Sequence, residues 1–268
     1  MSAVYINGVS LLAPGLDGWS SSVATLRGEQ PWQAVEMPAL VPQLLPANER
    51  RRTTALIKLS LLAAQQATEM AQADASQLAN VFASSDGDFF IVDRICEALT
   101  QQSKPISPTL FHNSVHNAPA GYWAIAVGSR QPSSSISAGE GTFAAGLLET
   151  VTSVQQQDRP MLFIAYDYPA PFPLNEKRDF IWPFALAMVL GQHQQAQCLA
   201  ALELELLPGN DTKNDHNDCG DAGLEKLRVA NPAARSLPLL QAISQLQESN
   251  LRLPYLHALD LGVRIQPC

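Results

Sequence analysis

The segment from Ser135 to Gly146 combines residue types and spacing that could support chemistry. Its sequence predicts a short strand, a turn with glycine on both sides of Glu140, and a helix of small residues. A side chain at such a turn lies near a helix N-terminus, where free N–H groups and the macrodipole stabilise an anion or a thiolate. The residues alone favour a structural glutamate that binds the first helix amides over a functional carboxylate.

A second candidate is the pair His112 and His116. In a helix the two imidazoles would share a face at i,i+4 spacing, which is half of a zinc site. No HExxH pattern or third ligand follows, so hydrogen-bonded packing or an interface is the favoured interpretation. The acidic stretch that contains Asp215, His216, Asp218 and Asp221 does not match an EF-hand and is typical of a solvated linker.

Composition narrows the classes of function. The chain has 268 residues, a formal charge of −8 and 46% hydrophobic residues. An acidic chain without a basic segment is not expected to bind nucleic acid. There is no apolar run long enough for a membrane span and no signal-peptide pattern at the start, which predicts a cytoplasmic protein. The cysteines, at 96, 198, 219 and 268, form no CxxC pair, so we expect them to be reduced.

Helical and strand patterns alternate, which predicts a layered α/β domain with a mixed sheet. Leu–Glu alternation near the end of this region indicates an exposed edge strand. After Pro208 the chain is rich in Asn, Asp and Pro, which is typical of a linker or insertion. The predicted division is a domain over 1–207, a linker over 208–238, and a helix and strand over 239–268. Within the first part we expect helices over 48–73 and 114–127, and strands over 133–138, 161–166, 184–190 and 199–207.

Three stretches resemble the N-terminal half of a β-ketoacyl synthase, a condensing enzyme of thiolase fold. The first is Val4–Val9 followed by Trp19 and Leu26-Arg27-Gly28. The second runs from Pro108–Phe111 through Ala118–Gly121 to Gly128. The third is Ser135–Ala144, which is similar to the strand and helix that carry the catalytic cysteine in that family. The resemblance implies a thiolase-like layered fold, N-terminal half only, with a short C-terminal tail.

The sequence departs from the family at the position that matters most for catalysis. Glu140 occupies the place of the cysteine, and the family's histidine and lysine motifs of the C-terminal half do not occur. A carboxylate cannot form the acyl thioester that a thiolate forms. Loss of this cysteine is typical of chain-length factors, and the segment resembles those of aryl-polyene clusters. The resemblance implies a non-catalytic subunit that pairs with a full-length ketosynthase and meets acyl carrier protein through that complex; no cofactor or metal is implied.

The resemblance also implies roles for individual residues. Dimers of this fold join along the strand before the turn, here Ser133, Ser134, Ser135, Ile136, Ser137 and Ala138. The preceding segment would then reach the partner's acyl tunnel. The residues expected at the tunnel or interface are Phe111, His112, Asn113, His116, Asn117, Glu140 and Phe143.

Two alternatives remain from the residues. Glu140 could act as a general acid or base with His112 or His116, for instance to assist malonyl decarboxylation. The chain could instead be a self-associating remnant, a possible homodimer, that binds acyl carrier protein. The acidic charge counts against the second alternative, since carrier proteins are themselves usually acidic.

Overall fold

The computed structural model describes residues 2–178, 180–209 and 217–268. Within these residues one mixed sheet runs in the order β4-β3-β5-β6-β1-β7-β9-β8, and β2 pairs with β1. β3 lies parallel to both β4 and β5, whereas the other neighbours are antiparallel. The strands are β1 (Val4–Ala13), β2 (Leu16–Asp17), β3 (Ala79–Ala83), β4 (Ser133–Ile136), β5 (Met161–Asp167), β6 (Phe184–Gly191), β7 (Ala200–Pro208), β8 (Ser249–Leu256) and β9 (Leu259–Pro267).

Helices cover both faces of the sheet. α3 and α6 pack on one face, and α7 and α9 help to cover the other. The helices are α1 (Trp19–Leu26), α2 (Ala47–Arg50), α3 (Ala55–Met70), α4 (Phe89–Thr100), α5 (Pro108–Asn113), α6 (Ala118–Val127), α7 (Thr142–Gln157), α8 (Ala222–Ala230) and α9 (Leu237–Gln245). This arrangement confirms the predicted layered α/β class.

The central strands are apolar because both of their faces are covered. In β5, Phe163 enters the core beneath α7, while Leu162 and Ile164 enter the core beneath α3. All seven residues of β5 and all eight of β6 are buried. Such continuous apolar runs are expected for strands between two helical layers.

Two predicted helices are each broken in the structure. The helix expected over 48–73 is split into α2 and α3, because the Thr54 side chain accepts a hydrogen bond from Ile57 N (3.3 Å) and caps α3. The helix expected over 114–127 begins only at Ala118, with Pro119 in the first turn, where proline needs no N–H partner. His112 and His116 therefore do not share one helix.

The C-terminal third is more ordered than its composition predicts. The described part of 208–238 contains α8 and a 3₁₀ turn (Ala233–Ser236), so the expectation of a loop-like segment is wrong there. β8 was not expected. β7 is not an edge strand, because β9 pairs with it along its whole length and β8 follows beyond. Residues 208–268 thus contain two sheet strands and much of one core.

The cysteines also differ from expectation. A disulfide joins Cys198 to Cys268, with 5.8 Å between their Cα atoms, whereas Cys96 and Cys219 are free thiols.

None of the helices in the described ranges combines the length and hydropathy that a membrane crossing needs.

Candidate functional site

The turn between β4 and α7 has the sharp geometry that the sequence predicts. Gly139 has a left-handed φ of 54°, a conformation that glycine adopts without steric cost. The Thr142 hydroxyl fixes the turn, because it accepts from Ala138 N (2.9 Å) and donates to Gly139 O (2.7 Å). Glu140 lies in a short 3₁₀ turn (Gly139–Gly141) immediately before α7. We call residues 138–142 the elbow.

The elbow is held against the end of β8. A Cβ atom on Gly141 would lie 1.9 Å from the backbone oxygen of Tyr255, so only glycine allows this approach. The C-terminal part of the chain therefore helps to shape the elbow, although it is more than a hundred residues away in sequence.

The Glu140 carboxylate pairs with two arginines instead of the helix amides. Oε1 accepts from Arg178 Nη1 and Oε2 from Arg235 Nη2, both at 3.1 Å. Arg178 also donates from Nε to Asp86 Oδ2 at 2.8 Å. The result is an ion chain, Asp86–Arg178–Glu140–Arg235, in which the Glu140 side chain is 53% exposed. The expectation that Glu140 binds the first helix amides is therefore wrong.

A buried carboxylate lies behind this ion chain. Asp167, at the end of β5, accepts from Ser84 Oγ (3.0 Å), from Ser85 N (2.8 Å) and Oγ (2.9 Å), and from Ala233 N (3.1 Å). Complete burial raises the pKa of this carboxyl to about 7, despite its hydrogen-bond donors. Asp167 therefore joins the end of β3 to the C-terminal part of the chain.

The residues expected near the tunnel occupy different environments. Phe111 is 68% exposed, and His112 and Asn117 line an open groove of about 710 Å³ between α2, α5 and α6. Asn113 is buried, where it donates to Arg52 O (2.9 Å) and accepts from Tyr122 Oη (3.0 Å). His116 Nε2 lies 3.2 Å from Ile136 O and so contacts the end of β4.

Phe143 is separated from this group. It is 1% exposed and packs in the core, with its ring centroid 5.9 Å from that of Phe163. Phe143 therefore packs in the core next to the elbow and stabilises the elbow from the buried side.

The strand residues expected at a dimer interface lie at one end of the sheet. β4 pairs with β3 in parallel, in the register Asn80↔Ser133 to Ala83↔Ile136. Pro132 O accepts from Asn80 N, and Ile136 O accepts from Ser84 N just after β3. Because the backbone groups of successive strand residues point to opposite sides, those of Ser133 and Ser135 point away from β3. After the strand, Ser137 Oγ donates to Ser85 O (2.6 Å), and Ala138 begins the elbow.

The acidic stretch serves local structure where it is described. Asp221 caps α8 by accepting from Gly223 N and Leu224 N, and Asp218 accepts from Gly220 N. Asp215 and His216 lie outside the described residues. Within the described ranges, no group of three or more His, Cys, Asp or Glu side chains could hold a metal ion.

Arg178, Arg235 and Asp86 were not expected at the elbow from the sequence. Arg178 and Arg235 lie 38 and 95 residues from Glu140, so no local spacing could have indicated the pairing. The only signal was Glu140 itself, a charged residue between two glycines.

Taken together, the site is a strand–turn–helix elbow of a layered α/β protein, with a carboxylate at the turn that pairs with two arginines. The family model for the N-terminal domain of β-ketoacyl synthases matches residues 25–250. The chain belongs to this family, and its fold is thiolase-like. No curated protein sequence matches the chain.

Solved structures with the same fold cover almost the whole chain. A chain of the complex of a ketosynthase (ApeO) with its chain length factor (ApeC) from Xenorhabdus doucetiae is 22% identical, with a TM-score of 0.74 over 98% of this chain and 100% of that chain. The ishigamide ketosynthase/chain length factor is 13% identical, with a TM-score of 0.73 over 99% of both chains. One chain of the complex of a type II polyketide synthase acyl-carrier protein with its ketosynthase bound to the hexaketide is 12% identical, with a TM-score of 0.78 over 99% of both chains.

Proposed function

We propose that the chain is a non-catalytic, chain-length-factor-like subunit that pairs with an active β-ketoacyl-ACP synthase and shapes its acyl tunnel. The observation that carries the proposal is the elbow, where a carboxylate, Glu140, is bound by Arg178 and Arg235. In this proposal Glu140 takes the place of the family's nucleophile. We infer that the product is a polyketide or aryl polyene and that the complex works in the cytoplasm.

The chemistry of the elbow supports a non-catalytic role. Acyl transfer to this position requires a thiolate, because a carboxylate would give an anhydride rather than a thioester. Both carboxylate oxygens already accept charge-assisted hydrogen bonds, which occupy their lone pairs and lower their nucleophilicity. The condensation step therefore belongs to the partner.

The surface beside the elbow supports the pairing. β4 is at one end of the sheet and carries no charged residue. α6 contacts β4, and the α5–α6 region carries exposed apolar side chains, namely Phe111, Val115 and Ile125, each at least 54% exposed. His116 connects the two features through its contact with Ile136 O. An unpaired strand edge next to exposed apolar surface is typical of an interface.

The same region supports a role in product length. Phe111 and His112 are on α5 and remain available to a partner's tunnel because their side chains are exposed. Selection by size is worth on the order of 1–3 kcal/mol per methylene, so several residues must share it. Asn113 contributes by fixing the end of α5 through its contacts with Arg52 and Tyr122.

The names of the similar structures agree with this assembly, since two of them contain a chain length factor with a ketosynthase and one contains a carrier protein. Co-expression with a β-ketoacyl-ACP synthase from the same organism, followed by size-exclusion chromatography with light scattering, tests the proposal. We expect a complex with equal amounts of both chains that condenses acyl groups. A strictly monomeric chain that never co-purifies would contradict it.

The alternative in which Glu140 acts as an acid or base has a separate test. Substituting Glu140→Gln keeps the shape of the side chain and removes its charge. We expect assembly and the condensation rate of the complex to remain largely unchanged. A large loss of rate with unchanged assembly would favour the acid–base role.

A further inference from the structure

The disulfide between Cys198 and Cys268 encloses the entire C-terminal part of the chain. Cys198 precedes β7, and Cys268 follows β9, at a sequence separation of 70 residues. Every described element from β7 to β9 lies inside this covalent loop. We call residues 217–268 the C-terminal segment.

The C-terminal segment supplies three of the contacts that shape the elbow and its surroundings. Ala233 N donates to Asp167, Arg235 pairs with Glu140, and the Tyr255 oxygen lies against Gly141. A change in how firmly this segment is held therefore reaches the elbow directly.

The two bonded cysteines are accessible to small redox reagents. Cys268 is exposed and Cys198 is half-buried. Cys219 is buried, and its burial raises the pKa of its thiol to about 12, which keeps it in the inert protonated form. Cys96 is exposed on α4 and provides a control thiol that is not bonded.

Backbone hydrogen bonds hold the two cysteines close together even without the bond. Cys268 N donates to Leu199 O (3.4 Å), and Leu199 N donates to Ile6 O (2.9 Å). The ladder between β7 and β9 continues from this point, in the register Ala200↔Pro267. The reduced thiols would therefore remain within reach of each other, so the bond can open and close within the folded chain.

We propose that Cys198 and Cys268 form a redox-controlled clasp on the C-terminal segment. Closure requires a disulfide oxidant such as oxidised glutathione. The thiolate of one cysteine attacks this disulfide and releases one glutathione thiolate; the second cysteine thiolate then attacks the mixed disulfide and releases another. The two cysteine protons end on the two glutathione thiols, and a dithiol reductant reverses the sequence.

The clasp acts mainly on the unfolded and partly opened states. Closing a loop of this length removes chain entropy from those states, and the loss grows with the logarithm of the loop length. Reduction leaves the contacts at the elbow in place but allows the C-terminal segment to open more often.

The test uses the full chain alone, after oxidation with glutathione disulfide or reduction with dithiothreitol. We expect reduction to lower the thermal midpoint by about 5–10 °C. We also expect it to speed hydrogen exchange in β8 at least about tenfold relative to β5. Cys198→Ser and Cys268→Ser should match the reduced wild type under both conditions, whereas Cys96→Ser should keep the full difference.

Two results would overturn the clasp. One is an equal midpoint and equal β8 exchange for the oxidised and reduced wild type. The other is mass mapping that finds both cysteines still open to alkylation after oxidation. Circular dichroism of Cys198→Ser and Cys268→Ser identifies a folding failure, and the wild-type comparison needs neither variant. No ketosynthase is present in this test, so it can fail independently of the proposed function.

Discussion

The two ends of the sheet differ in how they present their outer edges. β4, at one end, is a short uncharged strand of three serines and an isoleucine. Ser133 and Ser135 direct backbone groups away from β3. β8, at the other end, carries the features by which proteins block edge pairing.

The blocking features of β8 are specific. The N–H of Arg252 points outward but already donates to Asn217 Oδ1 (2.8 Å). Pro254, two residues further along, has no N–H to offer. The guanidinium of Arg252 pairs with the carboxylate of Asp260, with 2.6 Å between Nε and Oδ2. The difference supports the proposal that the partner chain pairs with β4 and not with β8.

The largest expected effect comes from removing one outward N–H of β4. Ser135→Pro removes a donor that β3 does not use, so the chain should fold while strand pairing with the ketosynthase fails. Loss of a ladder bond together with the clash of the ring should weaken the complex at least about 100-fold, measured by co-purification and calorimetry.

The matched control for this prediction is Asn250→Pro in β8, where the outward N–H has the same parity as that of Arg252. We expect this variant to assemble normally. Equal loss of the complex in both variants would contradict the difference between the two edges, as would unchanged binding by Ser135→Pro with native circular dichroism.

A second prediction tests the close packing of β8 against the elbow. Gly141→Ala places a Cβ 1.9 Å from a backbone oxygen that cannot simply rotate away. Overpacking of this kind costs about 1–3 kcal/mol of unfolding free energy, measured by urea denaturation. Gly121→Ala in α6 is the control, because nothing lies within 4 Å of its Cβ and alanine favours a helix. Equal stability of the two variants would contradict the close approach of Tyr255.

The elbow and the edges differ in how far the sequence could predict them. Local sequence is sufficient to predict β3, β5 and the elbow. A compact apolar run indicates each of the two strands, and the glycines on both sides of Glu140 indicate the elbow. β8 and the ion chain depend on partners far along the chain, which no spacing indicates. The Leu–Glu alternation in β7 led to the prediction of an exposed edge strand, which is wrong. The alternation could not reveal that β9 pairs with β7 along its whole length, with Glu203 Oε2 3.4 Å from Arg264 Nη1.

A third prediction concerns Asp167, which connects the sheet to the segment that carries β8. Its pKa is raised from 3.8 to about 7, so the folded state holds this proton at pH values where the unfolded state has released it. The contribution of Asp167 to the free energy of unfolding is therefore fully present below about pH 4 and falls as the pH rises toward 7. Above pH 7 this contribution no longer changes with pH. The slope should approach about 1.4 kcal/mol per pH unit.

The measurement for Asp167 is urea unfolding at pH values from 5 to 8, with Asp167→Asn as the comparison. The other carboxyls titrate alike in both chains, so the difference in slope belongs to Asp167. Parallel curves for the two proteins would contradict the raised pKa.

The smallest expected effect concerns Phe111, an exposed residue of α5. Its side chain contributes little to the stability of this chain because it is 68% exposed. If the β4 edge brings α5 to the partner's tunnel, Phe111→Ala should lengthen the products, with a preference of about 1–3 kcal/mol per added methylene divided among several residues. Mass spectrometry of the products measures the shift, and Phe172→Ala is the control, since Phe172 is equally exposed but lies in the loop after β5. Unchanged product lengths in a complex that still assembles would remove Phe111 from the tunnel while leaving β4 as the edge that pairs.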